Sequence, residues 1–496
     1  MNFLGIDLGT SSVKIIVMNE EGKVLASVSK EYPVFYPEAG WAEQKPEDWW
    51  NATKDGIKEL IEKNNLDKAS IKSLSFSGQM HGLVALDENN DVLLPAILWC
   101  DQRTQAECDY ITELLGKEKL SKYTGNKALT GFTAPKVLWV KKHRPEIYSK
   151  IKHIMLPKDY IRFMLTGEYA SEVSDASGTL LFDVENRSWS KEMLEALEIP
   201  ESIMPKCYES YEVTGTVTKE AAKLTGLEEG TLVIGGGGDQ AAGAVGTGTV
   251  ESGIISVAMG TSGVVFASQK AYAVDSENRL HSFCHANGEW HVMGVMLSAA
   301  ACLKWWVEEV NKGDSKTFDE LLAEAEKVPA GSEGLIFLPY LMGERTPYSD
   351  PNAKGCFIGL SITHTRAHMT RAILEGVAFG LKDSLEMIKD LNMPVNEVRV
   401  SGGGAKSTLW RQILADVFEA RVDMINSVDG PSYGAAILAA VGAGAYENVN
   451  EACKKMIKIT ESVEPNLANK DNYRKMYKIY NSLYNSLKDA FKAIAE

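Results

Sequence analysis

DLGTSSV at residues 7–13 and AMGTSGV at 258–264 agree at Gly, Thr, Ser and Val, four positions of seven, at an offset of 251 residues in a chain of 496. Each copy follows a short apolar run, FLGI at 3–6 and GIISV at 253–257. A chain of this length exceeds one ordinary core of about 100–200 residues, so a repeat at half-length predicts two lobes of related build. FLGID (3–7) and VKIIV (13–17) flank the first turn and read as a hairpin. Such a turn presents backbone N–H groups and hydroxyls to phosphate oxygens. Only the first copy carries an acid, Asp7, where the second has Ala258. That asymmetry predicts one metal held from one lobe and phosphates gripped from both.

Outward from these turns, strand-like and helical stretches alternate. IKSLSF (71–76), PAILW (95–99), GTLVIGGG (230–237) and EVRVSGGG (397–404) read as strands. Residues 48–64, 366–388 and 407–418 have helical apolar spacing. The expected class is α/β, with lobes 1–247 and 248–496. The small-residue run AAILAAVGAGA (435–445) is far short of the about 20 residues of a membrane span and reads as a packed helix. A net charge of −15 disfavours a polyphosphate partner such as DNA. Seven cysteines without a CxxC pair suit a reducing compartment, and MNFLGID lacks the basic and apolar segments of a signal peptide. The expected location is cytoplasmic, with no membrane partner.

GGGGDQAAGAVG (235–246) places one carboxylate, Asp239, after four glycines and before a run of small residues that opens a helix. A flexible turn is the plain reading of such a stretch. No GxxxxGK[ST] loop occurs, and the acid that a dinucleotide fold needs about 20 residues after G-x-G-x-x-A is missing, since position 256 is Ser. SGQMHGLV (77–84) puts His81 at a strand exit, and ILWCDQRT (97–104) ends a strand with Trp99, Asp101 and Arg103, whose plain reading is a surface ion pair. SGGGAKS (401–407) runs from strand to helix, where glycines let backbone approach a base or phosphate.

Taken together, DLGTSSVK, SGQMHG, GFTAPKVLWVKKH (131–143), LPKDYIR (156–162), GGGGDQAAGAVG, MGTSGV, FLPYLMGERTPYSDPNAKGCFIGL (337–360) and VSGGGAKSTLWRQILAD resemble, in order and spacing, the FGGY carbohydrate kinases over residues 1 to about 480. The resemblance implies two lobes of the actin-like ATPase (ribonuclease H-like) fold, mixed sheets flanked by helices, with the active site in the interlobe cleft. It implies ATP and Mg2+ as cofactors and D-xylulose, phosphorylated at O5, as the sugar. A related pentulose, polyol or sugar acid is the alternative, and an actin-like chaperone or filament ATPase the reading from another class. By the same resemblance Asp239 is the base, and Asp7 holds the metal. Met80, His81, Trp99 and Gln240 touch the sugar. Thr10, Ser11, Gly260 and Thr261 meet phosphates, and Gly403, Gly404 and Ser407 lie against the nucleotide. A homodimer is part of the expectation. Four bare glycines before Asp239 would clear the path of the transferred phosphate, and the helix dipole would keep the base ionised.

Overall fold

The computed structural model describes residues 1–312, 317–427 and 429–495. The first sheet has the order Val213–Thr216, Leu232–Ile234, Ile71–Gly78, Asn2–Leu8, Ser12–Asn19, Val24–Glu31. Asn2–Leu8 is an almost unbroken apolar run because helices cover both faces of its sheet. It pairs antiparallel with Ser12–Asn19 through the GTS turn, Asp7 opposite Lys14, and parallel with Ile71–Gly78, Asp7 beside Ser77.

The second sheet repeats this plan. Ile254–Met259 pairs antiparallel with Gly263–Gln269 and parallel with Glu397–Ser401, so that Ala258 stands between Val264 and Ser401. Outer strands His281–Cys284 and Trp290–Met296 extend one side, Val422–Ile425 and Ile459–Val463 the other. The sequence repeat is therefore a repeat of structure: central strand, hairpin and parallel neighbour occur in each lobe.

Three strand expectations are shortened, EVRVSGGG ending at Ser401 before its glycines. PAILW forms only Ala96–Ile97, because the chain turns at Trp99 to bury Asp101. GTLVIGGG breaks after Leu232–Ile234, where Gly236 takes φ +83°, and resumes as Gly237–Gly238 beside the end of Ile71–Gly78. The helices Pro46–Lys63, Arg366–Asp390 and Thr408–Phe418 form close to their expected bounds.

AAILAAVGAGA supplies much of the Gly430–Gly442 helix, which packs on the first sheet and against the Asp239–Thr247 helix although it lies late in the chain. Glycines allow that approach. A Cβ on Gly434 would sit 1.7 Å from Ala242 O, and one on Gly5 would sit 1.9 Å from Ser432 O. Among the described residues no helix is long and apolar enough to cross a membrane.

Candidate active site

In open α/β sheets, ligands gather beyond the carboxyl ends of the strands. Three such ends meet here: Asp7 closes Asn2–Leu8, Gln79, Met80 and His81 follow Ile71–Gly78, and Asp239 follows Gly237–Gly238. Asp7 is held above the usual carboxylate range by burial, which outweighs the Ser77 hydroxyl and the Lys14 ammonium. Lys14 is itself paired to Asp429 at 2.6 Å. Asp239 is pushed up to about 7, first by burial and then by the like charge of Asp7.

That corrects the expectation that the helix N-terminus keeps Asp239 fully ionised. Its Oδ1 does accept the Gln240 N–H at 2.8 Å, but desolvation and Asp7 prevail. A carboxylate poised near neutrality is suited to accept a proton. Two half-buried carboxylates, Asp7 raising the proton affinity of Asp239 while Lys14 is paired to Asp429, offer the hard oxygen donors a divalent cation takes.

Three of the four glycines, 235, 236 and 238, also have a close neighbour on the protein side. A Cβ on Gly235 would lie 2.6 Å from Glu209 O, one on Gly236 2.3 Å from Phe76 O, and one on Gly238 2.8 Å from Met80 Sδ. At 235 and 236 the loop is pressed against backbone, and that packing excludes side chains there whatever passes on the other side.

Met80 is buried against Gly238 and Gly178. His81 has φ +68°, and its Nδ1 lies 2.6 Å from Gly178 O. A carbonyl only accepts, so Nδ1 carries the hydrogen and Nε2 presents a lone pair. Burial pushes the imidazole down to about 3, and the nearby Lys136 acts in the same direction, so His81 is neutral. The His81 carbonyl accepts from Thr133 Oγ1 at 3.0 Å and Lys136 Nζ at 2.8 Å. Gly178 leaves no room for a Cβ, which would sit 2.5 Å from the imidazole.

Trp99, 38% exposed, donates from Nε1 to Thr10 Oγ1 at 3.0 Å, tying the end of the Ala96–Ile97 strand to the first turn. Gln240 is half-buried directly after Asp239. Asp101 and Arg103 do not form a surface pair: Asp101 is wholly buried, accepts Ala42 N at 2.6 Å, and Arg103 lies over Trp41 at 3.6 Å. The turn carrying Thr10 and the exposed Ser11 is held by buried glutamines. Gln44 Nε2 donates to Thr10 O at 2.6 Å, and Gln79 Nε2 to Gln44 Oε1 at 2.9 Å.

In the second lobe, Gly260 and Thr261 lie on an exposed turn whose carbonyls accept Ala300 N and Ala299 N, both at 2.9 Å. A cavity of about 760 Å³ brings together Thr261, Gly403, Gly404 and Ser407 with Ala301, Trp305 and Trp410. A Cβ on Gly403 would meet nothing within 4 Å, so no protein neighbour demands glycine there. The Ser407 hydroxyl caps the Thr408–Phe418 helix by accepting Trp410 N at 3.2 Å. Gly260, Asp7, Asp239, Met80 and His81 do not line this cavity. Sequence reasoning missed Gly178, Gln44 and the 301–305 wall. Gln79 stands inside the quoted SGQMHG, whereas Gly178 and Gln44 carry no local signal.

Family models for the N-terminal and C-terminal domains of the FGGY family of carbohydrate kinases match residues 2–246 and 255–443. The chain is 40% identical to the xylulose kinase of Bacillus subtilis (strain 168) over 492 residues, covering 99% of this chain and 98% of that protein. It is 41% identical to the xylulose kinase of Escherichia coli (strain K12) over 487 residues, 98% and 99% of the two chains. The crystal structure of a xyloylose kinase from Brucella ovis superposes with a TM-score of 0.93 at 37% identity, covering 99% of this chain and all of that one. With both domain models matched over most of its length, the chain belongs to the FGGY family of carbohydrate kinases.

Proposed function

We propose that this protein transfers the γ-phosphoryl group of ATP to O5 of D-xylulose. The observation that carries the reading is the meeting of Asp7, Met80–His81 and Asp239 at three adjoining strand ends, in a chain whose full-length relatives include xylulose kinases. Phosphoryl transfer asks little covalent chemistry of a protein and much positioning. In our reading Asp239 takes the proton from the attacking hydroxyl. His81 Nε2 accepts from a second sugar hydroxyl, and Met80, Trp99 and Gln240 complete the sugar contacts. Thr10, Ser11, Gly260 and Thr261 hold phosphates from both lobes. Gly403, Gly404 and Ser407 border the nucleotide, the bare Gly403 keeping open a wall on which a base can lie.

Asp7, with Asp239 beside it, has the donor chemistry for Mg2+, which when bound would offset phosphate charge as the leaving group departs. Residues 1–247 would form the sugar lobe and 248–496 the nucleotide lobe, apart from the Gly430–Gly442 helix, which packs on the first sheet. The reading extends to a cytoplasmic homodimer, which light scattering on the purified protein tests for assembly.

The deciding experiment is an ATP-coupled panel of pentuloses, hexuloses, aldoses, polyols and gluconate, with the phosphorylated carbon located by NMR. D-Xylulose is expected first, with phosphate on O5 and glycerol poor. ATP turnover without any sugar would point to a chaperone-type ATPase. Glycerol or gluconate outpacing every pentulose would overturn the sugar assignment.

A further inference from the structure

LPKDYIR (156–162) has no part in the reading above, yet Lys158, Asp159 and Arg162 are wholly buried. Lys158 Nζ lies 2.9 Å from Asp159 Oδ1, 3.2 Å from Glu172 Oε1 and 3.1 Å from Asp175 Oδ2. Arg162 Nη1 donates to the same Asp159 oxygen at 2.5 Å and to Ala170 O at 2.7 Å. Taking five ionisable side chains out of water costs about as much as their attraction returns. Such a cluster is a weak source of stability and a strong source of fixed geometry.

Two hydrogen bonds leave the cluster for the loop that presents Asp239. Arg162 Nη2 donates to Gly235 O. Glu172 accepts from Ser174 N at 2.8 Å, Asp175 N at 2.9 Å, Ser174 Oγ at 3.0 Å and Ser210 Oγ at 2.8 Å. The Ser174 hydroxyl, its proton directed to Glu172, then accepts the N–H of Gly238 at 3.0 Å. Gly238 immediately precedes the base. Because residues 235–238 have no side chains, contacts to their backbone set the loop's path, these two together with the pairing of Gly237–Gly238 beside Ile71–Gly78. The same segment runs on to Gly178, whose carbonyl fixes His81, and to Ser177, whose Oγ accepts Cys284 N of the second sheet at 3.0 Å.

We infer that Ser174 is a positioning residue for phosphoryl transfer: oriented by Glu172 and the buried Lys158–Asp159–Arg162 cluster, its hydroxyl sets the Gly238 peptide and so the direction in which Asp239 faces the acceptor hydroxyl. This rests on Asp239 being the base. The test compares Ser174→Ala and Ser174→Thr by initial rates with D-xylulose and ATP varied in turn, active sites being counted by calorimetric titration with D-xylulose. Misplacing a reacting group by about 1 Å costs up to ~100-fold. Ser174→Ala should therefore lose about 10-fold or more in kcat per binding site while both KM values stay within about two-fold. Ser174→Thr, which keeps the hydroxyl, should stay within about three-fold of the parent.

Unchanged kcat per site in Ser174→Ala, or equal loss in Ala and Thr variants, overturns the inference. If Ser174→Ala does not fold, Ser174→Cys, with a weaker acceptor of similar volume, carries the test. An intermediate loss of kcat at unchanged KM supports the role, and the parent's kcat refutes it. Asp239→Asn is measured in parallel. Inactive Asp239→Asn beside a fully active Ser174→Ala removes only the positioning role, whereas an active Asp239→Asn removes the base assignment itself.

Discussion

His81→Asn tests the sugar site at a single atom. Asn tolerates the left-handed backbone that His81 adopts at φ +68°, whereas Ala there would add about 1 kcal/mol of strain and mix two effects. The Asn amide nitrogen reaches about the place of Nδ1, so the Gly178 carbonyl keeps a donor, and what disappears is the Nε2 lone pair. A sugar hydroxyl left unpaired in a closed site costs about 1–3 kcal/mol, which at about 1.4 kcal/mol per decade is a 5- to 150-fold loss in kcat/KM for D-xylulose. The assay is ADP release coupled to a spectrophotometric readout, with sugar and ATP varied separately. KM for ATP should hold within about two-fold, since His81 does not line the cavity of Thr261, Gly403 and Gly404 proposed for the nucleotide. Burial holds the imidazole near 3, so it stays neutral at working pH, and the ratio of parent to variant kcat/KM should be flat from about pH 5.5 to 9. A ratio that changes through about pH 6–7 would show that His81 binds as a cation, and an equal rise in KM for ATP would show that the substitution disturbs the cleft at large; either refutes the acceptor argument.

Asp239→Asn keeps the shape of the base and removes its proton affinity, so turnover should fall by about 10²–10⁴ with calorimetric sugar binding retained; lost binding would make it a binding residue. Because burial and Asp7 raise Asp239 to about 7 and the base must be deprotonated, kcat/KM should decline as pH falls through that region, and a bound divalent cation should move the decline to lower pH. A rate independent of pH from about 5 to 8 would contradict this. Asp7→Asn should shift the Mg2+ optimum upward, because Ala258 in the matching turn offers no substitute charge; an unchanged Mg2+ titration would remove Asp7 from the metal's shell. Gly236→Ala meets both a φ of +83° and a Cβ 2.3 Å from Phe76 O, and should cost about 2 kcal/mol or more, read as a fall in Tm of about 5 °C; an unchanged Tm would mean the loop can move off the strand.

The elements that local chemistry dictates were legible in the amino-acid sequence. The paired GTS turns, the hairpin after FLGID, the helix after GGGGD and the apolar periods of 48–64, 366–388 and 407–418 depend on neighbours a few residues apart, and they stand in the fold with small shifts. The order of motifs sufficed to read the family. Tertiary structure decided the rest, because desolvation and close approach are set by what lies across space. Asp239 is raised by burial and by Asp7, a residue more than 200 positions away in the chain. His81 owes its tautomer to Gly178, and Arg103 is a buried clamp over Trp41 where spacing suggested a surface pair. The glycines show the boundary most clearly: their composition marks a special loop, but only the Phe76 carbonyl and the 209–210 backbone, packed against Gly236 and Gly235, explain why no side chain fits there.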